Sequence, residues 1–301
     1  MKITVITSLY DCEKYLNGYF QSVEEIVNKD ECEFLLLHNK PTKRELEIVN
    51  LNIQGRPWYH HIIIEEREGL YTTWNRAIHL ARGEYCAIWN VDDIRSPDSL
   101  LLQKEALENY PESVISFGDI WGTEKYGKQK DIFYFHPTME EEKEEYFKRH
   151  IIGCFPMWRK TIHSQIGYFD EQFKLVADFE FQIRVAIKYS IKKIYQPTGY
   201  YLILAKEKLS SDTKLQIKES NIVHLRYGNF DKINLLYLYA SLRNFSVFNI
   251  RNKNEKVSIF YFYTKHWIFL LLKSYRILGQ LYRFPIDILK FIKHEYLDKI
   301  D

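Results

Sequence analysis

Cysteine is scarce and scattered in this chain. Cys12, Cys32, Cys86 and Cys154 form no CxxC pair, and none has a neighbouring histidine at metal-ligand spacing. That excludes a disulfide framework or a sequence-local zinc module, and suits small core side chains in a reducing compartment. Charge of one sign is also lacking. The 42 Lys+Arg and 40 Asp+Glu leave a net +2, too little to indicate nucleic acid as the main partner. No apolar run nears the roughly 18 residues that span a bilayer; the longest, 267–272, is far shorter. Met1 and Lys2 lead straight into ITVITSLY, without the cationic, apolar and small-residue parts of a signal peptide. The expectation is a soluble or peripheral protein of the cytoplasm.

The composition is otherwise globular. Of 301 residues, 46% are hydrophobic, and 23 Tyr with 19 Phe suggest surfaces that are only half wet. The length suits one large domain or one domain with an appendage. No internal repeat or low-complexity segment is present. In the first half, strand and helix patterns alternate. ITVITSL (3–9), EFLLL (33–37), HHIIIE (60–65), EYCAIWN (84–90) and SVISFGD (113–119) read as strands. Residues 13–28, 42–51, 70–81 and 97–109 read as helices, the third stopping near Gly83. Short apolar strands alternating with helices imply a mainly parallel sheet covered on both faces. Ligands of such sheets bind beyond the carboxyl ends of the strands.

The segment AIWNVDDIRSPDSL (87–100) ends there on two adjacent acids. Ser96 and Pro97 read as N-cap and first residue of the next helix, with Asp98 in its first turn. Asp92 and Asp93 are therefore spare as caps. Neighbouring carboxylates repel unless a cation or a donor-rich ligand sits between them. The competing local explanation is an ordinary acidic loop.

Downstream, 120–137 is a long loop rich in Gly, Lys and Tyr, and Thr138 with Glu141 forms a capping box before EEEKEEYFKR, a solvated acidic face. GCFPMW (153–158) is apolar and partly extended. VADFEFQIRVAIKY (176–189) reads as a helix carrying Asp178, Glu180 and Arg184. Between 256 and 282 four Lys/Arg and no acids interleave with aromatic and aliphatic residues, and Lys273, Arg276, Gln280 and Arg283 share one helix face. Such a helix can lie in a membrane interface or pack on protein, and amphipathicity alone does not decide.

Taken in order, ITVITSLYDCEKYL, EGLYTTWNRAIHLARGEY, WNVDD, GYFDEQF and ADFEFQIR resemble the family 2 glycosyltransferases of the GT-A fold, over roughly residues 1–225. The resemblance implies a Rossmann-like α/β catalytic domain (1–225) followed by a basic, helical C-terminal extension (226–301). It implies inverting transfer of a sugar from a nucleotide-diphosphate donor to an acceptor hydroxyl, with Mn²⁺ or Mg²⁺. Carried over by position, Asp92 and Asp93 match the acidic metal motif and Asp178 the general base. Thr7, Ser8, Leu9, Tyr10, His38, Asn39, Glu68, Gly69, Asn75, Asn90, Val91, Asp92 and Arg184 match the donor-binding positions. Relatives often carry acids where His38, Asn39, Asn90 and Ala177 stand here, which leaves the nucleotide base and the extent of metal use open.

The chemistry agrees with those roles. Charge builds on the departing pyrophosphate, and a hard cation held by one or two carboxylates stabilises it. An acceptor hydroxyl is a poor nucleophile, so a base that takes its proton contributes about 10²–10⁴-fold. Apolar neighbours Val176, Ala177 and Phe179 would raise the pKa of Asp178 on burial; the structural alternatives are a helix cap for Asp178 and an i,i+4 partner of Glu180 for Arg184. The implied partners are a nucleotide-diphosphate sugar, a saccharide or lipid-linked acceptor of surface-polysaccharide synthesis, and a membrane surface met peripherally through 256–301. Homo-oligomerisation is left open. A nucleotidyltransferase would want a Gly-rich basic loop after the first strand, whereas SLYDCEKYL has no glycine and one lysine. A non-catalytic binder of the same fold is the third reading.

Overall fold

The β-branched apolar segments fold as strands and the amphipathic segments between them as helices. In chain order these are β1 (Ile3–Leu9), α1 (Glu13–Glu24), β2 (Cys32–Asn39), α2 (Lys43–Ile53), β3 (Tyr59–Ile64), α3 (Leu70–Leu80), β4 (Tyr85–Ile88), β5 (Ile94–Arg95), α4 (Ser99–Asn109), β6 (Ser113–Thr123) and β7 (Ile132–His136). There follow β8 (Met157–Arg159), α5 (His163–Ile166), α6 (Ala177–Lys188), β9 (Ser190–Leu202), α7 (Thr213–Tyr227) and α8 (Leu235–Asn244). The computed structural model describes residues 1–127, 132–136, 143–203, 212–247, 249–250 and 253–254. They divide into two units. The first holds Met1–Tyr146, His150–Phe169 and Phe181–Glu207; the second holds Phe147–Arg149, Asp170–Glu180 and the described residues from 212 onward.

In the first unit, nine strands of the described residues form one mixed sheet in the order β3-β2-β1-β4-β8-β6-β9-β5, with β7 on β6. The ladders β3-β2-β1-β4 are parallel, so the carboxyl ends of these four strands share one edge. β6 and β9 also pair in parallel, while β5, β7 and β8 join antiparallel. β2 is buried along its whole length, as a strand covered on both faces must be. α1 turns Leu16, Tyr19, Phe20 and Val23 inward, at the i, i+3, i+4, i+7 spacing of one helix face. Tyr19 meets the fully buried Trp89 edge-on at 5.2 Å. Gly83 lets the chain pass β1 closely: a Cβ there would lie 2.6 Å from the main-chain nitrogen of Thr4.

Some local expectations change. Residues 120–137, read as a loop, hold the end of β6 and the whole of β7. Ser96 and Pro97 do not start α4, which begins at Ser99 with Asp98 in the capping position. The reason is tertiary: Ser96 N donates to Thr198 O at 3.0 Å, holding the chain extended beside β9 until it turns away. β9 itself was not apparent in SIKKIYQPTGYYL, where Pro197 and Gly199 interrupt the pattern; the register slips where Asp119 faces Pro197. Of EEEKEEYFKR, the described part is a 3₁₀ turn, Lys143–Phe147. The capping box at Thr138 and Glu141 and the basic segment 256–301 lie outside the described residues. No helix among the described residues is long and apolar enough to cross a membrane.

In the second unit α7 and α8 are joined through Asn221, whose amide donates to Asn234 O (2.9 Å) and accepts from Asn234 N (2.7 Å). Arg226 on α7 forms the unit's ionic centre. Its guanidinium donates to Glu180 Oε1 at 3.0 Å and Asp170 Oδ2 at 2.8 Å. Tyr227 Oη donates to the same Glu180 oxygen at 2.5 Å. Burial works against the charge on Arg226, but the two carboxylates outweigh it and hold its pKa above the ordinary arginine value.

Candidate active site

The shared carboxyl edge of β1, β2 and β4 collects most of the residues singled out in the sequence. At the end of β1, Thr7 is buried, its hydroxyl hydrogen-bonded to Tyr19 Oη at 2.8 Å. Leu9 belongs to the core, Ser8 is half-buried, and Tyr10 is 40% exposed. At the end of β2, Asn39 is a staple. Its Nδ2 donates to Thr73 Oγ1 on α3 (3.1 Å), and its Oδ1 accepts from Glu68 N (3.0 Å). Glu68 forms a two-toothed ion pair with Arg76, at 2.7 and 3.0 Å. Gly69, exposed, is the residue from which α3 starts. Arg67 on this loop stacks 3.8 Å above the Tyr10 ring, a contact between the β1 and β3 ends for which the sequence carries no pattern.

After β4 the chain makes the turn that carries the acids. Trp89 N donates to Ile6 O at 3.0 Å, extending the β4–β1 pairing, and Asp93 N closes the turn on Asn90 O at 3.0 Å. Trp89 Nε1 locks it by donating to Asp93 O at 3.0 Å. Asp93 is 1% exposed, and its carboxylate accepts from Asn90 Nδ2 (3.2 Å) and from Leu202 N at the end of β9 (3.1 Å). Asp92 is half-buried and lines a cavity of about 10 Å³ with Thr123, Tyr126, Tyr200 and Leu202, room for a single water-sized particle. The two acids thus differ in setting: Asp93 ties the turn to β9, whereas Asp92 borders the cavity. Immediately beyond, Arg95 is 2% exposed and donates to Gln103 Oε1 (2.7 Å) and Ile88 O (2.9 Å). Burial pulls its pKa down to about 9.

Tyr126, which follows β6, covers this turn. Its ring lies 5.1 Å from that of Tyr15, and its hydroxyl donates to Tyr15 O at 3.3 Å. It fits because residue 18 of α1 is glycine: a Cβ there would fall 2.4 Å from Tyr126 Cε1. Burial, and then the carboxylates of Asp93 and Asp92, raise the pKa of the Tyr126 phenol and keep it protonated. Tyr126, Arg67 and Thr73 were missed by sequence reasoning, because their roles arise from contacts between distant segments.

Other expected donor-binding residues also make contacts within the framework. Asn75 is 4% exposed and grips the main chain of Phe169 from both sides, Nδ2 to O at 2.9 Å and N to Oδ1 at 3.0 Å. Arg184 donates to the carbonyls of Ile166 and, at 2.6 Å, Tyr168. A side chain bonded to main-chain groups holds a loop in place, and both residues do so here. His38 is likewise fully buried, its Nδ1 3.1 Å from His61 Nε2. Burial, and then the nearby His38, lower His61 to about 4. Val91 lies in the core and Asn90 is half-buried at the turn.

Asp178 belongs to the second unit, in the first turn of α6. It is half-buried, and its Oδ1 accepts from Phe179 N at 2.8 Å. The segment leading into it is pinned by Glu219 of α7, whose two oxygens accept from Lys174 N and Leu175 N at 2.8 Å each. Burial raises the pKa of Glu219 against the pull of these donors.

The family model "Glycosyl transferase family 2" matches residues 4–167, more than half of the chain. The chain belongs to glycosyl transferase family 2. It is 28% identical over 185 residues to a glycosyltransferase of Methanocaldococcus jannaschii, covering 60% of this chain and 63% of that protein. It is 28% identical over 139 residues to the poly(ribitol-phosphate) beta-glucosyltransferase of Bacillus spizizenii, covering 44% of this chain and 21% of that one. The match thus spans less than two thirds of the length of these relatives. In fold the chain is similar to TarS 1-349 of S. aureus solved with UDP-GlcNAc, with a TM-score of 0.61, 17% identity, and coverage of 79% of this chain and 72% of that one. It is also similar to a mannosyltransferase of Pyrobaculum calidifontis solved with GDP-Man and Mn²⁺, with a TM-score of 0.56, 13% identity, and coverage of 98% and 93%. The fold is GT-A: a mixed sheet, Rossmann-like in its parallel half, flanked by helices.

Proposed function

We propose that this family 2 member transfers a sugar, with inversion, from a nucleotide-diphosphate donor to an acceptor hydroxyl. The observation that carries the reading is the Asn90–Asp93 turn at the common carboxyl edge of β1, β2 and β4, with Asp92 bordering a cavity and Asp93 bracing the turn. The neighbours solved with UDP-GlcNAc and with GDP-Man and Mn²⁺ support donors of this class. The hard oxygen donors of Asp92 suit Mg²⁺ or Mn²⁺, which bind through one or two carboxylates and complete their shell with phosphate oxygens and water. Asp92 would hold such an ion, with Asp93 setting the turn; when bound, the ion supplies charge stabilisation to the departing diphosphate. Ser8, Tyr10 and Arg67 offer the base or ribose a hydroxyl, a ring face and a guanidinium.

Asp178 is the base in this reading. Its carboxylate takes the acceptor hydroxyl's proton as that oxygen bonds to the anomeric carbon, and the anomeric carbon–oxygen bond to the nucleotide diphosphate breaks with the electron pair leaving on phosphate. Attack from the face opposite the leaving group inverts the centre. Saccharide or lipid-linked acceptors and peripheral membrane contact through 256–301, on the cytoplasmic face, extend the proposal; the relative acting on poly(ribitol-phosphate) supports a polymer acceptor.

The test separates the two roles. Asp178→Asn is expected to lower transfer by about 10²–10⁴-fold while leaving the thermal shift given by nucleotide diphosphates with Mn²⁺ unchanged. Asp92→Ala is expected to abolish the Mn²⁺-dependent part of that shift. Near-normal turnover by Asp178→Asn, or a full Mn²⁺ response in Asp92→Ala, would overturn the assignment concerned.

A further inference from the structure

Where β1 and β2 end, the fold gathers a second set of ligand-type atoms. Cys12 immediately precedes α1, His38 lies near the end of β2, and Glu45 is in the first turn of α2. One ligand atom from each (the thiol sulfur, an imidazole nitrogen and a carboxylate oxygen) lies within 4.8 Å of both others. All three are buried, at 1%, 0% and 1% exposure. His38 Nε2 has no hydrogen-bond partner although it is fully buried. It stands 3.7 Å from Glu45 Oε2, too far for a hydrogen bond. With Nδ1 engaged by His61 at 3.1 Å, the buried Nε2 and the Glu45 carboxylate face each other across a gap. A buried polar atom left in this state destabilises the fold.

We propose that Cys12, His38 and Glu45 form a zinc site that fastens the β1–α1 junction to the ends of β2 and α2. The donor chemistry selects the metal. A thiolate, an imidazole and a carboxylate suit borderline-soft Zn²⁺, whereas Mg²⁺ and Mn²⁺ prefer all-oxygen shells. The spacing is close to what is needed, since bond lengths of 2.0–2.3 Å put tetrahedral zinc ligands about 3.4–3.6 Å apart. The supporting groups are in place as well. Glu45 Oε1 accepts from Cys12 N at 2.7 Å and Oε2 from Thr42 N at 2.9 Å, leaving a further lone pair on each oxygen. His61 fixes the ring of His38, as outer partners of metal-bound histidines do.

A separate observation concerns the backbone. Among the described residues, Asp11 (φ 47°) and Lys40 (φ 45°) are the non-glycine residues with positive φ; one directly precedes Cys12 and the other follows His38 by two. Such conformations persist where surrounding contacts over-determine them. Burial, and then Glu45, raise the pKa of the Cys12 thiol, so in the metal-free protein it carries its proton. Zinc binding forms the sulfur–zinc bond and releases that proton to solvent.

The experiment uses the full chain expressed in zinc-replete medium and freed of loosely bound metal. Elemental analysis is expected to find about one zinc per chain in the wild type and in Asp92→Ala, and little in Cys12→Ser. Cobalt added to zinc-stripped protein should give a thiolate-to-cobalt charge-transfer band in the wild type that Cys12→Ser lacks, although Cys32, Cys86 and Cys154 remain. His38→Gln should weaken both signals; should it fail to fold, the near-isosteric Cys12→Ser and the wild-type cobalt spectrum still decide. Wild-type protein without zinc and without a cobalt band would overturn the proposal, as would a band of undiminished intensity in Cys12→Ser.

Discussion

Replacing Arg226 with methionine should destabilise the second unit severely. The guanidinium is 8% exposed, and its partners Asp170 and Glu180 are 3% and 2% exposed, so water does not screen the pairs. Removing one member of a buried ionic set strands the remaining charges and costs about 3–5 kcal/mol. Two groups soften the loss without cancelling it: Gln172 Nε2 still donates to Asp170 at 2.8 Å, and Tyr227 Oη to Glu180. At about 2–4 °C per kcal/mol for domains of 150–250 residues, Tm should fall by roughly 6–20 °C in differential scanning calorimetry. The control is Arg226→Met combined with Asp170→Asn and Glu180→Gln. A neutral set of similar volume is often as stable as the ionic one, so most of the loss should return. A fall of less than about 3 °C for the single variant, or no recovery in the triple one, would refute the view that these charges depend on one another. Because Glu180 lies two residues beyond Asp178, turnover should drop with stability in Arg226→Met.

Acid should weaken the first unit through His163. Its Nε2 accepts from Trp158 Nε1 at 2.8 Å and its Nδ1 donates to Gly167 O at 3.0 Å, a neutral ring whose pKa burial lowers from 6.5 to about 4. Below 6.5 the unfolded chain takes up a proton that the folded one refuses, so stability falls as pH drops from 6.5 to about 4, by roughly 3 kcal/mol for this group. Urea midpoints at pH 7, 5.5 and 4.5 should show it, and His163→Gln should flatten the slope; an unaltered slope would remove His163 from the account. Gly18→Ala should leave Tm unchanged or slightly raised, since alanine favours helix by about 1 kcal/mol, yet push Tyr126 from its notch and weaken nucleotide-diphosphate binding measured by calorimetry. Unchanged binding would mean that Tyr126 does not shape the donor site.

Hydrophobic periodicity sufficed for β1 to β4 and α1 to α3, because alternation and the 3.6-residue repeat are local consequences of how side chains leave the backbone. Parallel order, the acidic turn at a strand's carboxyl end and the family were legible from the same stretches. The start of β6 and the helix α6 were legible as well, but tertiary structure decided other features. β9 hides behind Pro197 and Gly199, and becomes a strand because β6 offers it a partner. Asp92 and Asp93 are the same residue type side by side, yet it is Asp93 whose carboxylate accepts from the main-chain N–H of Leu202, over a hundred positions away. Asn75 and Arg184 bind carbonyl oxygens, groups that every residue carries and no sequence marks. Cys12, His38 and Glu45 have no metal-ligand spacing along the chain; parallel pairing of β1 with β2 and the capping turn of α2 bring them together, because burial and hydrogen bonding act across space and leave no periodic trace in the order of residues.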